Sequence, residues 1–194
     1  MASVSSNRMS SDHNLRSDEV ESKTGDIFIS SDSVRTLRLF VPGRICLFGE
    51  HSDWAAAYRK VDSSVASGRC IVCGTNQGLY ANVQAHSHKL IVIARSEHGD
   101  KWPPFECEME RDRLLEIASA GGTFSYIAGV AHQMLLKHRV GGLILNNYST
   151  TLPLKKGLSS SAAICVLVAR AFNKMYDLKL TTEGEMEYAY LGSR

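Results

Sequence analysis

The stretch Pro153-Leu154-Lys155-Lys156-Gly157-Leu158-Ser159-Ser160-Ser161-Ala162-Ala163 decides the fold, because small and hydroxylated residues lead here into a long apolar segment. That segment, Ser160 to Tyr176, is apolar nearly all round, which predicts a buried central helix. The run Gly141 to Asn147, which precedes the stretch, is a strand candidate. The sequence therefore predicts a strand, a loop of small residues and a buried helix in succession.

The loop has the chemistry of an anion-binding site. Small side chains let backbone N–H groups approach an anion, and the first helical turn presents unpaired N–H groups at the positive end of its dipole. The hydroxyls of Ser159, Ser160 and Ser161 suit a helix cap, phosphate binding, or the shell of a phosphate-bound Mg²⁺ ion. Lys155 and Lys156 add positive charge. No Gly-Lys-Ser/Thr sequence closes the loop, so it is not a Walker A loop. On this stretch alone, a plain helix cap explains the serines equally well.

A second motif lies in Val41-Pro42-Gly43-Arg44-Ile45-Cys46-Leu47-Phe48-Gly49-Glu50-His51-Ser52-Asp53-Trp54. An apolar strand carries Arg44 and leads into a glycine-led turn that bears Glu50, His51 and Asp53. Carboxylates accept hydrogen bonds from sugar hydroxyls, and an imidazole donates or accepts them. Taken alone, this motif is better explained as a solvent-facing turn with Arg44 in a surface ion pair.

Together the two motifs resemble the GHMP kinase family, whose ATP-binding signature is Pro-x-x-x-Gly-Leu-Gly/Ser-Ser-Ser-Ala. Residues 153–163 match this signature, with Ser159 where Gly is commonest. The first motif is most similar to the galactokinase branch, which has Pro-Gly-Arg followed by Gly-Glu-His-x-Asp-Tyr, although Trp54 replaces the Tyr here. The mevalonate kinase branch shares Phe-Gly-Glu-His but lacks the Asp. The resemblance covers roughly residues 36–194, about the first half of a family member.

The resemblance implies an ATP-dependent, Mg²⁺-using kinase that transfers a phosphoryl group to a hydroxyl of a small sugar, with the anomeric hydroxyl favoured. It implies that Arg44 is catalytic, beside the attacking hydroxyl, and that Glu50, His51 and Asp53 bind substrate hydroxyls. Galactose, another neutral hexose and a uronic acid all stay open as substrates. The residues implied to bind ATP are Gly157, Leu158, Ser159, Ser160, Ser161, Ala162 and Ala163, with Ser160 and Ser161 also contacting Mg²⁺.

The catalytic base has no match in this sequence. Galactokinase-like members use an aspartate that follows the second motif after a short helix, a position that falls beyond Arg194. The family's third, Gly-rich motif and its C-terminal domain are missing as well. We therefore expect an incomplete N-terminal portion with little or no turnover. Three alternatives stay open: a non-catalytic sugar- and nucleotide-binding protein on the same scaffold, a mevalonate-kinase-like kinase of a non-sugar alcohol, and a truncated product without independent function.

Residues 34–194 predict an α+β domain, because strands fill the first half and helices the second without regular alternation. The resemblance identifies this domain as part of a GHMP kinase N-terminal domain, a mixed sheet packed by helices. The other predicted helices are Arg111 to Ala120, Thr123 to His138, and a last helix capped by Thr182 with Glu185 completing a capping box. The other predicted strands are Thr36 to Val41 ending at Pro42-Gly43, Cys70 to Gly74, Leu79 to Ala85, Leu90 to Ala94 and Phe105 to Glu110, with a turn at Thr75 to Gly78.

Composition excludes several function classes. With 22 Lys+Arg against 20 Asp+Glu, the net charge of +2 lacks the basic excess of proteins that coat nucleic acids. Residues 1–33 are Ser-rich and acidic without an apolar central stretch, which predicts a disordered cytosolic tail rather than a signal peptide. We expect a cytoplasmic protein with small-molecule ligands and no nucleic-acid or membrane partner.

Two further patterns have structural explanations. The uncharged run from Ile117 to Leu136 has the length of a membrane span, but the helical spacing of its apolar residues favours a half-buried core helix. The five cysteines, three of them in apolar runs, predict buried thiols in a reducing compartment. A zinc site at Cys70-x-x-Cys73 is not favoured, because a strand would point the two thiols to opposite faces and no second Cys/His pair stands at finger spacing.

Overall fold

A computed structural model describes residues 35–52, 54–95, 103–122, 124–152 and 159–194. These residues form a five-stranded mixed sheet in the order β1-β2-β5-β3-β4, with helices packed against it, so the predicted α+β class is confirmed. The strands are β1 (Thr36–Phe48), β2 (Ile71–His86), β3 (Lys89–Ala94), β4 (Phe105–Glu108) and β5 (Gly142–Thr150). The helices are α1 (Trp54–Arg59), α2 (Arg111–Ala120), α3 (Ser125–Lys137), α4 (Ser160–Tyr176) and α5 (Thr182–Gly192), and a short 3-10 turn spans Glu50–Ser52.

The core lies between one face of the sheet and the helices. β3 and β5 pair in parallel and all other neighbours pair antiparallel. Side chains alternate along each strand, so one face presents a continuous apolar surface. Helix α4 packs against β1 and β2, and its Leu167, Val168 and Phe172 are fully buried, which confirms the predicted central helix. The sheet residues buried on this face include Leu37, Val41, Ala81, Val83, Leu90, Val92, Leu143 and Leu145.

Two of the predicted strand ends are wrong, because β1 and β2 stabilise each other beyond the main sheet. β1 does not stop at Pro42-Gly43 but continues to Phe48, so the expected apolar strand that carries Arg44 is present as the second half of β1. The expected turn at Thr75 to Gly78 lies inside β2. Pro42 pairs with Gly78 and Arg44 pairs with Gly74, so residues 75–77 of β2 bulge opposite a single residue of β1. A bulge of this kind accommodates a proline within a paired strand.

The structure confirms the predicted helices, apart from the N-cap of α5. Helices α2 and α4 have the predicted bounds, and α3 buries Ile127, Ala131 and Met134 as expected. The capping box on Thr182 is wrong, since Thr181 is the N-cap residue and its hydroxyl accepts from the Gly184 N–H at 3.1 Å.

Some residues for which the sequence makes predictions lie outside the described ranges. This applies to the predicted tail over residues 1–33, to Asp53, and to residues 153–158 of the loop. Among the described helices, none combines the length and the apolar composition that a membrane crossing requires.

Candidate functional site

Strand pairing brings the motif that carries Arg44 and the residues that lead into the serine-loop motif to the same end of the sheet. After β5, the Thr151 N–H donates to the Gly78 carbonyl at 3.0 Å, and the Thr151 hydroxyl accepts from the Gly78 N–H at 2.9 Å. Gly78 of β2 pairs in turn with Pro42 of β1. Beyond this level β1 and β2 continue as a two-stranded ribbon that carries Arg44, while the chain after Leu152 enters the predicted phosphate loop.

A cavity of about 720 Å³ lies against this ribbon. Its volume is within the range of about 300–1,000 Å³ that is typical of small-molecule sites. Arg44 and Glu50 both line it, so the structure brings these two predicted site residues together. Neither side chain has an ion-pair partner in the described part of the chain, so the alternative of a surface ion pair for Arg44 finds no support there. His51 is exposed and is not one of the lining residues.

A tight turn holds Glu50 at the cavity wall. Gly49 has φ +81°, and a Cβ at this position would overlap the carbonyl oxygen of Arg69. The Ser52 hydroxyl has that same oxygen and the Gly49 carbonyl oxygen as its hydrogen-bond partners, at 3.0 and 2.7 Å. A Cβ on Gly68 would overlap the Ser52 carbonyl oxygen. The sequence alone gave Ser52 and Gly68 no role. The only sequence signal that residues 49–52 contact residues 68–69 was the pair of glycines, Gly49 and Gly68, on either side of residues 50–67.

We expect the substitution Gly49→Ala to open this turn. The new Cβ costs roughly 1–3 kcal/mol of backbone strain at positive φ, and its overlap with Arg69 forces the two segments apart. Hydrogen exchange followed by mass spectrometry should show faster exchange over residues 49–52 and 68–70 together. The matched control is Gly121→Ala, where φ is +74° but a Cβ would have nothing within 4 Å. Unchanged exchange in Gly49→Ala would contradict this account of the turn.

The amino end of α4 is open. Its N-cap residue Ser159 is left-handed (φ 57°, ψ 42°), and no side-chain hydrogen bond caps the helix. The first backbone bond of the helix runs from the Ala163 N–H to the Ser159 carbonyl at 2.9 Å. The N–H groups of Ser160, Ser161 and Ala162 thus precede this bond and have no acceptor in the described residues. Ser161 and Ala162 are exposed and Ser160 is half-buried, so described side chains do not cover these amides.

The conformation of Ser159 explains why Gly suits its position in the family signature. A left-handed backbone costs a residue with a Cβ about 1 kcal/mol, and glycine adopts it without strain. Because Gly157 and Leu158 lie outside the described residues, the structure bears only on the second half of the loop.

The expectation of buried thiols is only partly right. Cys107 and Cys165 are buried, and burial raises the pKa of each to about 11. Cys70 and Cys73 are exposed and Cys46 is half-buried. All three belong to the ribbon and its approach, where the neighbouring apolar residues Ile45, Leu47, Ile71 and Val72 are exposed as well, so apolar neighbours in the sequence do not bury these cysteines.

We expect iodoacetamide to distinguish these thiols near neutral pH. Alkylation requires the thiolate, and at pH ~8 only about one thiol in a thousand is ionised when its pKa is 11. Peptide mapping should find Cys70 and Cys73 alkylated while Cys107 and Cys165 stay unmodified. In denaturant all five cysteines should react, which controls for digestion and detection. Rapid labelling of Cys165 in the native chain would contradict its burial.

Metal ligands of the usual kind are not gathered in the part of the chain that the structure describes. There, no group of three or more His, Cys, Asp or Glu side chains is placed to hold a metal ion. A Mg²⁺ ion often binds through substrate phosphates with few protein ligands. The hydroxyls of Ser160 and Ser161, which have no hydrogen-bond partner within the described residues, fit that role beside a bound triphosphate.

Comparison with known proteins places the serine-loop motif, and not the motif that carries Arg44, within a matched family model. Residues 125–194 match the family model described as GHMP kinases N terminal domain. The chain is 28% identical over 146 residues to a galactokinase of Thermococcus kodakarensis, covering 75% of this chain and 35% of that protein. It is 27% identical over 140 residues to a galactokinase of Pyrococcus furiosus, covering 72% and 34%. The chain thus spans about a third of the length of the curated relatives it matches.

Solved structures share the fold. The galactokinase of Lactococcus lactis, solved in complex with galactose, superposes with a TM-score of 0.62 at 18% identity, covering 82% of this chain and 39% of that one. The mevalonate kinase of Methanococcus jannaschii gives a TM-score of 0.58 at 19% identity, covering 84% and 47%. At these identities the likeness shows the fold alone. It confirms the expected mixed sheet with packed helices.

Proposed function

We propose that this chain, a member of the GHMP kinase family, is the nucleotide- and substrate-binding part of an ATP-dependent kinase of a small sugar. The observation that supports the proposal is that the motif that carries Arg44 and the residues that lead into the serine loop lie at one end of the sheet. The cavity with Arg44 and Glu50 lies on the ribbon at that end, and the chain enters the serine loop from the base of the ribbon, where Thr151 is bonded to Gly78. A kinase needs its phosphate donor and its acceptor hydroxyl side by side.

The triphosphate of ATP is the proposed ligand of the α4 amides. The N–H groups of Ser160, Ser161 and Ala162, which have no acceptor among the described residues, donate to phosphate oxygens, and the positive end of the helix dipole adds a favourable field. Gly157, Leu158, Ser159 and Ala163 complete the proposed ATP-binding segment. When bound, Mg²⁺ neutralises charge on the phosphates, and Ser160 or Ser161 is its proposed protein ligand.

The cavity on the ribbon is the proposed sugar site. Glu50 accepts hydrogen bonds from substrate hydroxyls, assisted by His51 and Asp53. Arg44 lies beside the attacking hydroxyl, where its permanent charge stabilises the developing alkoxide and the transferring phosphoryl group. Phosphoryl transfer depends mainly on positioning and electrostatics, so these groups contribute much of what the reaction requires.

We further propose that the 194-residue chain binds its ligands but turns them over slowly. Glu50 is the only carboxylate among the described lining residues of the cavity, and it is assigned to substrate hydroxyls rather than to proton removal. The chain also covers only about a third of its curated relatives. Without a positioned base, proton transfer loses a contribution of typically about 10²–10⁴-fold in rate.

Ligand-induced thermal stabilisation tests the proposal. MgATP should raise the melting temperature of the chain, and one monosaccharide of a panel should raise it further. The panel includes non-sugar alcohols, to which a mevalonate-kinase-like protein would respond instead. Glu50→Gln should remove the sugar response and keep the MgATP response, whereas Glu183→Gln, an exposed carboxylate in the first turn of α5, should change neither. No stabilisation by MgATP would overturn the proposal, and rapid phosphate transfer would overturn only the claim of slow turnover.

A further inference from the structure

We infer that the substrate carries a carboxylate, and that Arg59 is the residue that recognises it. The inference rests on the proposed function, since it concerns the same cavity. It selects the acidic sugars among the three substrate classes that the sequence leaves open.

Among the described residues that line the cavity, the charges do not balance. Two arginines, Arg44 and Arg59, face it with a single carboxylate, Glu50. The remaining described lining residues are uncharged, and Asp53, which is proposed to bind substrate hydroxyls together with Glu50, lies outside the described residues. Once Arg44 is assigned to the reacting groups and Glu50 to hydroxyls, the charge of Arg59 has no counterpart in the described lining.

Arg59 is also held in place. It is the last residue of α1, and its Nη1 donates to the Val65 carbonyl at 2.8 Å. This bond uses one of the five guanidinium N–H groups and fixes the side chain across the loop that follows α1. The other N–H groups remain free for a ligand, because no carboxylate in the described part of the chain pairs with this side chain.

A held guanidinium at a cavity wall is suited to an anion more than to a neutral hydroxyl. The planar group donates two parallel hydrogen bonds to a carboxylate, which is stronger than a contact with one hydroxyl. A neutral ligand that filled the cavity would remove water from Arg59 without supplying a counter-charge, which costs free energy. In the proposed reaction one other anion reaches this cavity, the transferring phosphoryl group, which is assigned to Arg44. The experiment below distinguishes a substrate carboxylate from this phosphoryl group as the anion that Arg59 binds.

Calorimetric titration of the whole chain tests the inference with pairs of sugars that differ only at C6. The probes are D-glucuronate against D-glucose and D-galacturonate against D-galactose, each with and without MgATP. We expect one uronate to bind at least about tenfold more tightly than its neutral counterpart. Arg59→Met should weaken that uronate about 10- to 100-fold and leave MgATP binding unchanged. The neutral sugars should bind as tightly as before or more tightly, because their binding no longer dehydrates the Arg59 charge.

Two further variants show whether the geometry or only the charge matters. Arg59→Lys keeps the charge and loses the paired donors, so its uronate affinity should lie between those of wild type and Arg59→Met. Arg69→Met removes an exposed arginine of the same segment that does not line the cavity, and should change nothing. Melting temperatures of all variants show whether they fold.

Each outcome decides a different claim. Equal affinity for uronates and neutral sugars, unaffected by Arg59→Met, would overturn the inference and leave the proposed sugar kinase standing. Loss of MgATP binding in Arg59→Met with unchanged uronate binding would assign Arg59 to the phosphates and overturn it as well. Binding of MgATP but of no sugar or uronate would overturn both the inference and the sugar site on which it rests.

Discussion

Replacing Ser161 by glutamate should abolish MgATP binding while leaving the chain as stable as before, or slightly more so. Ser161 is exposed in the first turn of α4, where a carboxylate interacts favourably with the helix dipole by about 0.3–1 kcal/mol. The same carboxylate would stand among the amides proposed to bind phosphate. Like charges in direct contact cost several kcal/mol, so MgATP affinity should fall by about 100-fold or more.

The expected loss of MgATP affinity without a loss of stability makes the result specific to the proposed site. Thr182→Glu is the matched control, since Thr182 is an exposed residue in the first turn of α5. It adds the same charge to another helix N-terminus and should leave MgATP binding unchanged. Thermal melting with and without MgATP measures both properties in one experiment. If MgATP stabilised Ser161→Glu as much as the wild type, the assignment of the α4 amides to the nucleotide site would be wrong.

Replacing Arg170 by methionine should destabilise the chain by about 3 kcal/mol. The Glu185 carboxylate is only 4% exposed, and it accepts from Arg170 Nε at 2.9 Å and from Asn173 Nδ2 at 2.7 Å. Removing the arginine leaves a buried charge with one neutral donor. Breaking a buried pair from one side costs about 3–5 kcal/mol, and the partial exposure of Arg170 places the expected value at the lower end. Urea denaturation measures the loss.

A second variant separates the unpaired charge from lost packing. In Arg170→Met combined with Glu185→Met, no charge is left buried, so most of the lost stability should return. Arg113→Met, which breaks the exposed pair with Glu116, should change stability by no more than about 0.5 kcal/mol. If the double variant were as unstable as Arg170→Met alone, the buried charge would not be the cause.

The helices were predictable from sequence where local signals decide their ends. Helix α4 begins at Ser160 and ends at Tyr176 as expected, because its apolar residues are bounded by small and polar ones. The cap of α5 was not predictable by the same local rule. Glu185 satisfies the spacing of a capping box, but Arg170 and Asn173 of α4 bind its carboxylate. A tertiary contact therefore outweighs the local pattern.

The strands also show that long-range contacts outweigh local sequence signals. Pro42-Gly43 is a local stop signal, yet β1 runs on because Ile71 to Gly74, distant in sequence, supply its hydrogen-bonding partners. The ribbon that carries the candidate cavity exists only through this long-range pairing. The pattern within residues 36–48 indicates an apolar strand that carries Arg44, but neither its continuity with Thr36–Val41 nor its pairing with Ile71–Gly74.

The candidate site also contains residues that a local motif identifies and residues that only the folded structure identifies. Arg44 and Glu50 were found from their motif, and the structure places both on one cavity. Arg59, Ser52 and Gly68 were missed, because their contribution depends on how the segment after α1 folds back onto the turn at Gly49. The proposed roles of His51 and Asp53 stay predictions.

The central claim is that the amides at the start of α4 bind the triphosphate. Titrating ¹⁵N-labelled protein with MgATP while following the backbone amide resonances tests it directly. The account predicts that the amides of Ser160, Ser161 and Ala162 shift most and saturate together, whereas those at the start of α5 stay in place. Saturable shifts elsewhere, with these three amides unmoved, would contradict it.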